Sequence, residues 1–98
     1  MPYAIQTIDK AGHGHLRVDV RPAHVAYLKA NLAKMIAGGA LLDDDGASGF
    51  GGIILLDTDD RAEAEAFVAN DPYTLAGLFE SVTISRWRKA FLDGRCLL

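Results

Sequence analysis

The chain has 98 residues, half of them apolar and only 23% charged, enough for one domain, residues 1–98, with a core that needs no covalent staple. Ten Lys and Arg against thirteen Asp and Glu leave a net charge of −3, which argues against nucleic acid as the main partner. The single cysteine, Cys96, excludes an internal disulfide, the N-terminus lacks signal-peptide order, and the longest apolar run, Ile53 to Leu56, is too short for a bilayer. The expectation is a cytoplasmic domain with no membrane partner.

Tyr3 to Ile8 is rich in aromatic and β-branched residues and reads as a strand. Asp9 to His15, with Gly12 and Gly14, reads as a loop, and Leu16 to Val20 is either a short strand or a helical turn. Pro22 is placed at the first position of a helix, where its missing N–H costs nothing. Val25, Leu28, Leu32, Met35 and Ile36 then recur at helical spacing, and Gly38-Gly39 ends the pattern. Ala40 to Leu42 and Phe50 to Asp57 read as two strands joined by the turn-rich Asp43 to Gly49. Asp60 with Glu63 forms a capping box opening a helix that runs to Asn70. Asp71-Pro72 starts a further short helical turn through Gly77. Val82 to Ser85 alternates as a fourth strand, and Trp87 to Leu92 continues as an extended tail.

The order β-α-β-β-α-β predicts an α+β, ferredoxin-like fold: a four-stranded antiparallel sheet with both helices on one face. Strands such as Ile53 to Leu56 are apolar on both sides, so the open face needs a cover. A second copy of the chain is the simplest cover, and a homodimer packed sheet to sheet is expected.

Three constellations could carry chemistry. His24 falls in the first turn of the predicted helix, where positions 24, 28, 31 and 35 share one side; alone, it is more readily a surface histidine flanking the apolar stripe. Asp71 needs no function beyond capping, unless it faces His24, since a carboxylate beside an imidazole orients it and raises its basicity. Gly46-Ala47-Ser48-Gly49-Phe50-Gly51-Gly52 lets backbone approach a ligand closely, with the Ser48 hydroxyl beside it, but is equally a flexible hairpin. It matches neither a dinucleotide fingerprint nor a P-loop. His13-Gly14-His15 lacks partners at metal-ligand spacing, and Asp43-Asp44-Asp45-Gly46 lacks the spacing of a calcium loop. Both read as solvated loops, so no metal site is expected.

Taken together, Arg21-Pro22-Ala23-His24, Gly46-Ala47-Ser48-Gly49-Phe50 and Asp71-Pro72-Tyr73 followed by Gly77 resemble the signature of the YciI-like (YCII-related) family. The ending around Trp87, Arg88, Lys89 and Phe91 is similar too, so the resemblance runs from Tyr3 to about Phe91. It implies a dimeric α/β barrel with an active site centred on a histidine and an aspartate. Carried over, these are His24 and Asp71, with Ser48 and Tyr73 as neighbours. One branch of the family removes hydrogen chloride from a chlorinated hydroxyhydroquinone without a cofactor.

The resulting expectation is a cofactor-independent enzyme on a small polar substrate, aromatic or unsaturated. His24 shuttles a proton and Asp71 orients it. Ser48, Gly49 and Phe50 of the hairpin, with Tyr73 and Arg21, hold the substrate, although Arg21 could instead pair with Asp19 or Asp71. The alternative is a non-catalytic dimeric module that binds a metabolite or a protein.

Overall fold

Strand β1 (Tyr3–Asp9) lies inside a four-stranded sheet of order β2-β3-β1-β4 in the computed structural model, which describes residues 1–98. The other strands are β2 (Met35–Leu42), β3 (Gly49–Leu56) and β4 (Phe79–Arg86), and every neighbouring pair is antiparallel. Helix α1 (Gly14–Ala30) links β1 to β2; helices α2 (Arg61–Ala69) and α3 (Pro72–Leu75) link β3 to β4. This is the ferredoxin-like α+β arrangement, with the two crossovers passing over one face of the sheet. The C-terminal residues add a small ribbon, β5 (Phe91–Leu92) with β6 (Arg95–Cys96), in place of the expected plain tail.

Alternation along β1 sends Tyr3, Ile5 and Thr7 to the helix side, where all three are buried. Tyr3, Ile5 and Leu56 pack there against Ala64, Phe67 and Val68 of α2. Asp60 caps α2 by accepting from the Ala62 N–H at 2.9 Å. Glu63 does not complete a capping box; its carboxylate accepts from the Thr58 hydroxyl, which in turn accepts from the Asp60 N–H. Tyr27 on α1 donates to the Phe67 carbonyl at 2.7 Å, tying the two helices together.

Helix α1 differs most from expectation. It starts at Gly14, so the predicted loop through His15 is too long and Leu16 to Val20 is helical. Pro22 lies inside the helix, on an exposed position, where the Val18 carbonyl that it leaves without a partner can be solvated. The helix stops at Asn31, whose side chain donates to the Tyr27 carbonyl. A single 3-10 turn, Leu32–Lys34, then leads into β2. Met35 and Ile36 therefore belong to a strand, and Gly38-Gly39 is mid-strand opposite Ile54 and Ile53. The 25-28-32-35 spacing spans two elements and only imitates one helix. No helix is long and apolar enough to cross a membrane.

Candidate functional site

No residue of α1 is fully buried, because its inner face stands over a cavity instead of on the sheet. The cavity holds about 230 Å³ between α1, the sheet and the start of α3. Its apolar wall includes Ile5, Leu28, Ile54, Phe67 and Phe79. Its polar groups are Thr7, Arg17, Arg21, His24, Asp71 and Tyr73. A concave, largely apolar space with a few convergent polar groups is the usual form of a small-molecule site.

His24 sits in the middle of α1, not in its first turn, and Asp71 is the N-cap of α3. The His24 Nδ1 lies 2.8 and 3.0 Å from the two carboxylate oxygens of Asp71. A carboxylate only accepts, so Nδ1 carries the hydrogen and Nε2 is left free to exchange a proton with a ligand. Asp71 also accepts from the Tyr73 backbone N–H at 2.9 Å, so one carboxylate both caps the helix and orients the ring. The pair is sheltered, with the two side chains 17% and 4% exposed.

Tyr73 completes the mount. Its ring stacks on His24 with centroids 4.1 Å apart, and its hydroxyl donates to the Arg17 carbonyl at 3.0 Å. Burial pushes the Tyr73 hydroxyl above the usual tyrosine pKa, against the pull of Arg17 and Arg21, which lower it. Arg17 stands 4.9 Å from the same ring centre. It forks onto Asp9 with Nε to Oδ2 at 2.6 Å and Nη2 to Oδ1 at 2.8 Å. The Arg17 pKa is raised, first by the hydrogen bond to Asp9.

The structure thus brings together His24, Asp71, Tyr73 and Arg21. Arg21 forms no ion pair with Asp19 or Asp71. Ser48, Gly49 and Phe50 are not part of the cavity lining. The Ser48 carbonyl closes the hairpin turn by accepting from the Asp43 N–H at 2.8 Å. Phe50 falls at the register shift opposite Leu41 and Leu42 and is exposed. Gly49 only backs onto the Arg17 side chain. The glycines that do line the cavity are their neighbours Gly51 and Gly52, with Gly38 and Gly39 across the strand pair.

Arg17 and Thr7 escaped the sequence reading. Residues 17, 21, 24 and 28 fall at helical spacing on one face, a signal hidden by starting the helix at Pro22. Thr7 follows Tyr3 and Ile5 in the alternation of β1, which places a hydroxyl where an apolar residue would otherwise stand.

The family profile of the YCII-related domain matches residues 1–88. The chain belongs to the YCII-related family. It is 33% identical to "Protein YciI" of Escherichia coli O6:H1 over 98 aligned positions, covering 93% of this chain and 100% of the relative. The same figures hold for "Protein YciI" of Shigella flexneri. Among solved structures, this YCII-related chain is similar to 5-chloro-2-hydroxyhydroquinone dehydrochlorinase (TftG) from Burkholderia phenoliruptrix AC1100, determined in complex with 2,5-dihydroxybenzoquinone. That match has a TM-score of 0.83 and 34% identity, covering 90% of this chain and 94% of the other. PA3566 from Pseudomonas aeruginosa, at 19% identity and a TM-score of 0.53, shares the fold; 86% of this chain and 89% of that one are covered.

Proposed function

We propose that this YCII-related protein is a cofactor-independent, lyase-type enzyme that moves a proton on a small, substituted ring. One observation carries the reading: the Asp71 carboxylate holds the His24 imidazole by Nδ1 at the edge of a cavity, which leaves Nε2 for the ligand. A positioned imidazole contributes about 100-fold to 10,000-fold as an acid–base catalyst. The likeness to a dehydrochlorinase bound to a quinone supports elimination chemistry.

On a chlorinated hydroxyhydroquinone the steps balance without an oxidant. Nε2 accepts a ring hydroxyl proton and returns it to the ring carbon bearing chlorine. Chloride then leaves with its bonding pair, and a second hydroxyl proton is lost to solvent. The net change is loss of hydrogen chloride. Asp71 keeps the imidazole in one tautomer throughout, and Tyr73 keeps its plane.

The functional form is a homodimer joined through the sheet face opposite the helices, where Ile53 is exposed and Leu55 and Leu41 are partly so. The single exposed thiol, Cys96, suits a cytoplasmic setting.

The test is chloride release from 5-chloro-2-hydroxyhydroquinone by the wild-type protein and by His24→Gln. Chloride release that falls at least 100-fold in the variant supports the reading. No release by the wild type from any chlorinated hydroxyhydroquinone, with quinone binding retained, favours the ligand-binding module instead.

A further inference from the structure

The substrate's charge follows from what the cavity leaves unsatisfied, given that this cavity is the substrate site proposed above. The two nearby carboxylates are already engaged. Asp9 takes both of its bonds from Arg17, and Asp71 takes the His24 Nδ1–H and the Tyr73 N–H. Their side chains are only 7% and 4% exposed, so they present almost no acceptor surface to a ligand.

The remaining polar groups are mostly donors. Arg21 lines the cavity, is exposed and forms no ion pair with a carboxylate of the chain. Arg17 spends Nε and Nη2 on Asp9, which leaves Nη1 uncommitted. Thr7, a largely buried residue, lies on the same wall. Arg17, Arg21 and His24 follow one another at four and three residues, so their side chains leave one face of α1. Below them the sheet is bare: a Cβ on Gly52 would meet only the Gly39 carbonyl at 3.3 Å and the Thr7 hydroxyl at 3.6 Å. A flat ring can lie where side chains would otherwise project.

We infer that the site selects a small planar anion, a ring carrying an ionised enol, phenol or carboxyl oxygen, and that Arg21 with Arg17 forms the anion clamp. Asp9 acts as a positioning residue, since its fork fixes the Arg17 guanidinium. A planar guanidinium pair suits such an oxygen better than lysines would, because Arg presents donors in a fixed fork. With the anion held on the arginines, Nε2 meets the hydroxyl that still carries its proton.

The test compares calorimetric binding of 2,5-dihydroxybenzoquinone, which is ionised at neutral pH, with 2,5-dimethoxybenzoquinone, which has the same ring and cannot ionise. The acid is expected to bind at least tenfold more tightly than the ether. Arg21→Met should remove that preference, bringing acid binding down toward that of the ether. Arg17→Lys keeps the charge and loses the fork, so it should weaken the acid less than Arg21→Met does. Equal binding of the two quinones, undiminished acid binding by Arg21→Met, or no acid binding at millimolar concentration overturns the inference. The proton-transfer reading fails separately: acid binding through Arg21 without chloride release from any chlorinated substrate leaves the anion clamp standing alone.

Discussion

The imidazole of His24 lies nearly parallel to the ring of Tyr73, with 22° between the planes. Tyr73 is two residues beyond the aspartate that holds the same imidazole, so a single helical turn sets both the plane and the tautomer of His24. The mount is rigid because each part has a second task. Asp71 caps α3, and the Tyr73 hydroxyl reaches back to the α1 backbone.

Asp71→Asn separates those tasks. Asn caps a helix about as well as Asp, so stability should fall by less than about 1 kcal/mol. Turnover should fall at least 100-fold, because the charge supporting the imidazolium is gone. Long-range nitrogen–proton correlation spectra should show a single Nδ1–H tautomer in the wild type and a mixture in the variant. Unchanged turnover with an unchanged tautomer would reduce Asp71 to a cap.

Much of this site is written in local chemistry. Asp71-Pro72 announces a capped helix start, and the alternation of β1 announces its inner face. The pairing of His24 with Asp71 spans 47 residues and depends on how two helices cross one sheet, which no local pattern contains. The error over α1 has a definite source. Pro22 is both a common helix opener and a residue that an exposed helix interior tolerates, and the first reading hides the Arg17–Arg21–His24 face. The glycine hairpin reaches the cavity two residues further along the chain than Gly49. The glycines that line the cavity, Gly51 and Gly52, belong to the strand, whereas Ser48 belongs to the turn.

Tyr27 and Tyr73 make the protein sensitive to alkali. Burial is the largest cause raising both hydroxyls, with Asp71 adding to each. Their folded-state pKa values exceed the unfolded one, so their contribution to stability is fully present below about pH 10 and is lost as pH rises through the folded values. Melting temperature should therefore begin to fall above about pH 10. Tyr73→Phe should flatten this fall and lower stability near neutrality by about 1 kcal/mol for the lost bond to the Arg17 carbonyl. An alkaline limb identical in wild type, Tyr27→Phe and Tyr73→Phe would contradict this assignment.

Gly51 on β3 and Gly39 on β2, whose register partners are Leu41 and Ile53, have opposite tolerance. A Cβ on Gly51 would stand 2.2 Å from the Thr7 carbonyl, a backbone atom that cannot turn away, whereas one on Gly39 meets nothing within 4 Å. Gly51→Ala should cost about 3 kcal/mol in urea denaturation, through forced displacement of β1 from β3. Gly39→Ala should change stability by less than about 1 kcal/mol. Equal effects would show that the close approach at Gly51 relaxes freely.

The last prediction concerns assembly. Register places Gln6 and Gly39 on either side of Ile53, and Ala4 and Ala37 on either side of Leu55. These side chains point away from the helices, because Ile5, Ile54 and Leu56 alternate toward them. Leu41 and Ile8 flank Gly51 on the same outer surface. On β4 that surface turns polar at Ser81, Thr83 and Ser85. The apolar part is therefore centred on β3, with Ile53 in its middle. Pairing two such faces should bury roughly 1,600 Å² in total, the standard size for a stable complex. The wild type should sediment at twice its 10.5 kDa chain mass at micromolar concentration. Ile53→Lys removes about 2 kcal/mol of apolar burial per chain and places an unpaired cation in the interface, so it should sediment as a monomer. The cavity lies on the other side of the sheet, so the variant should still bind 2,5-dihydroxybenzoquinone. A wild type that sediments at the mass of one chain would refute the dimer, and a dimeric Ile53→Lys protein would move the interface to another face.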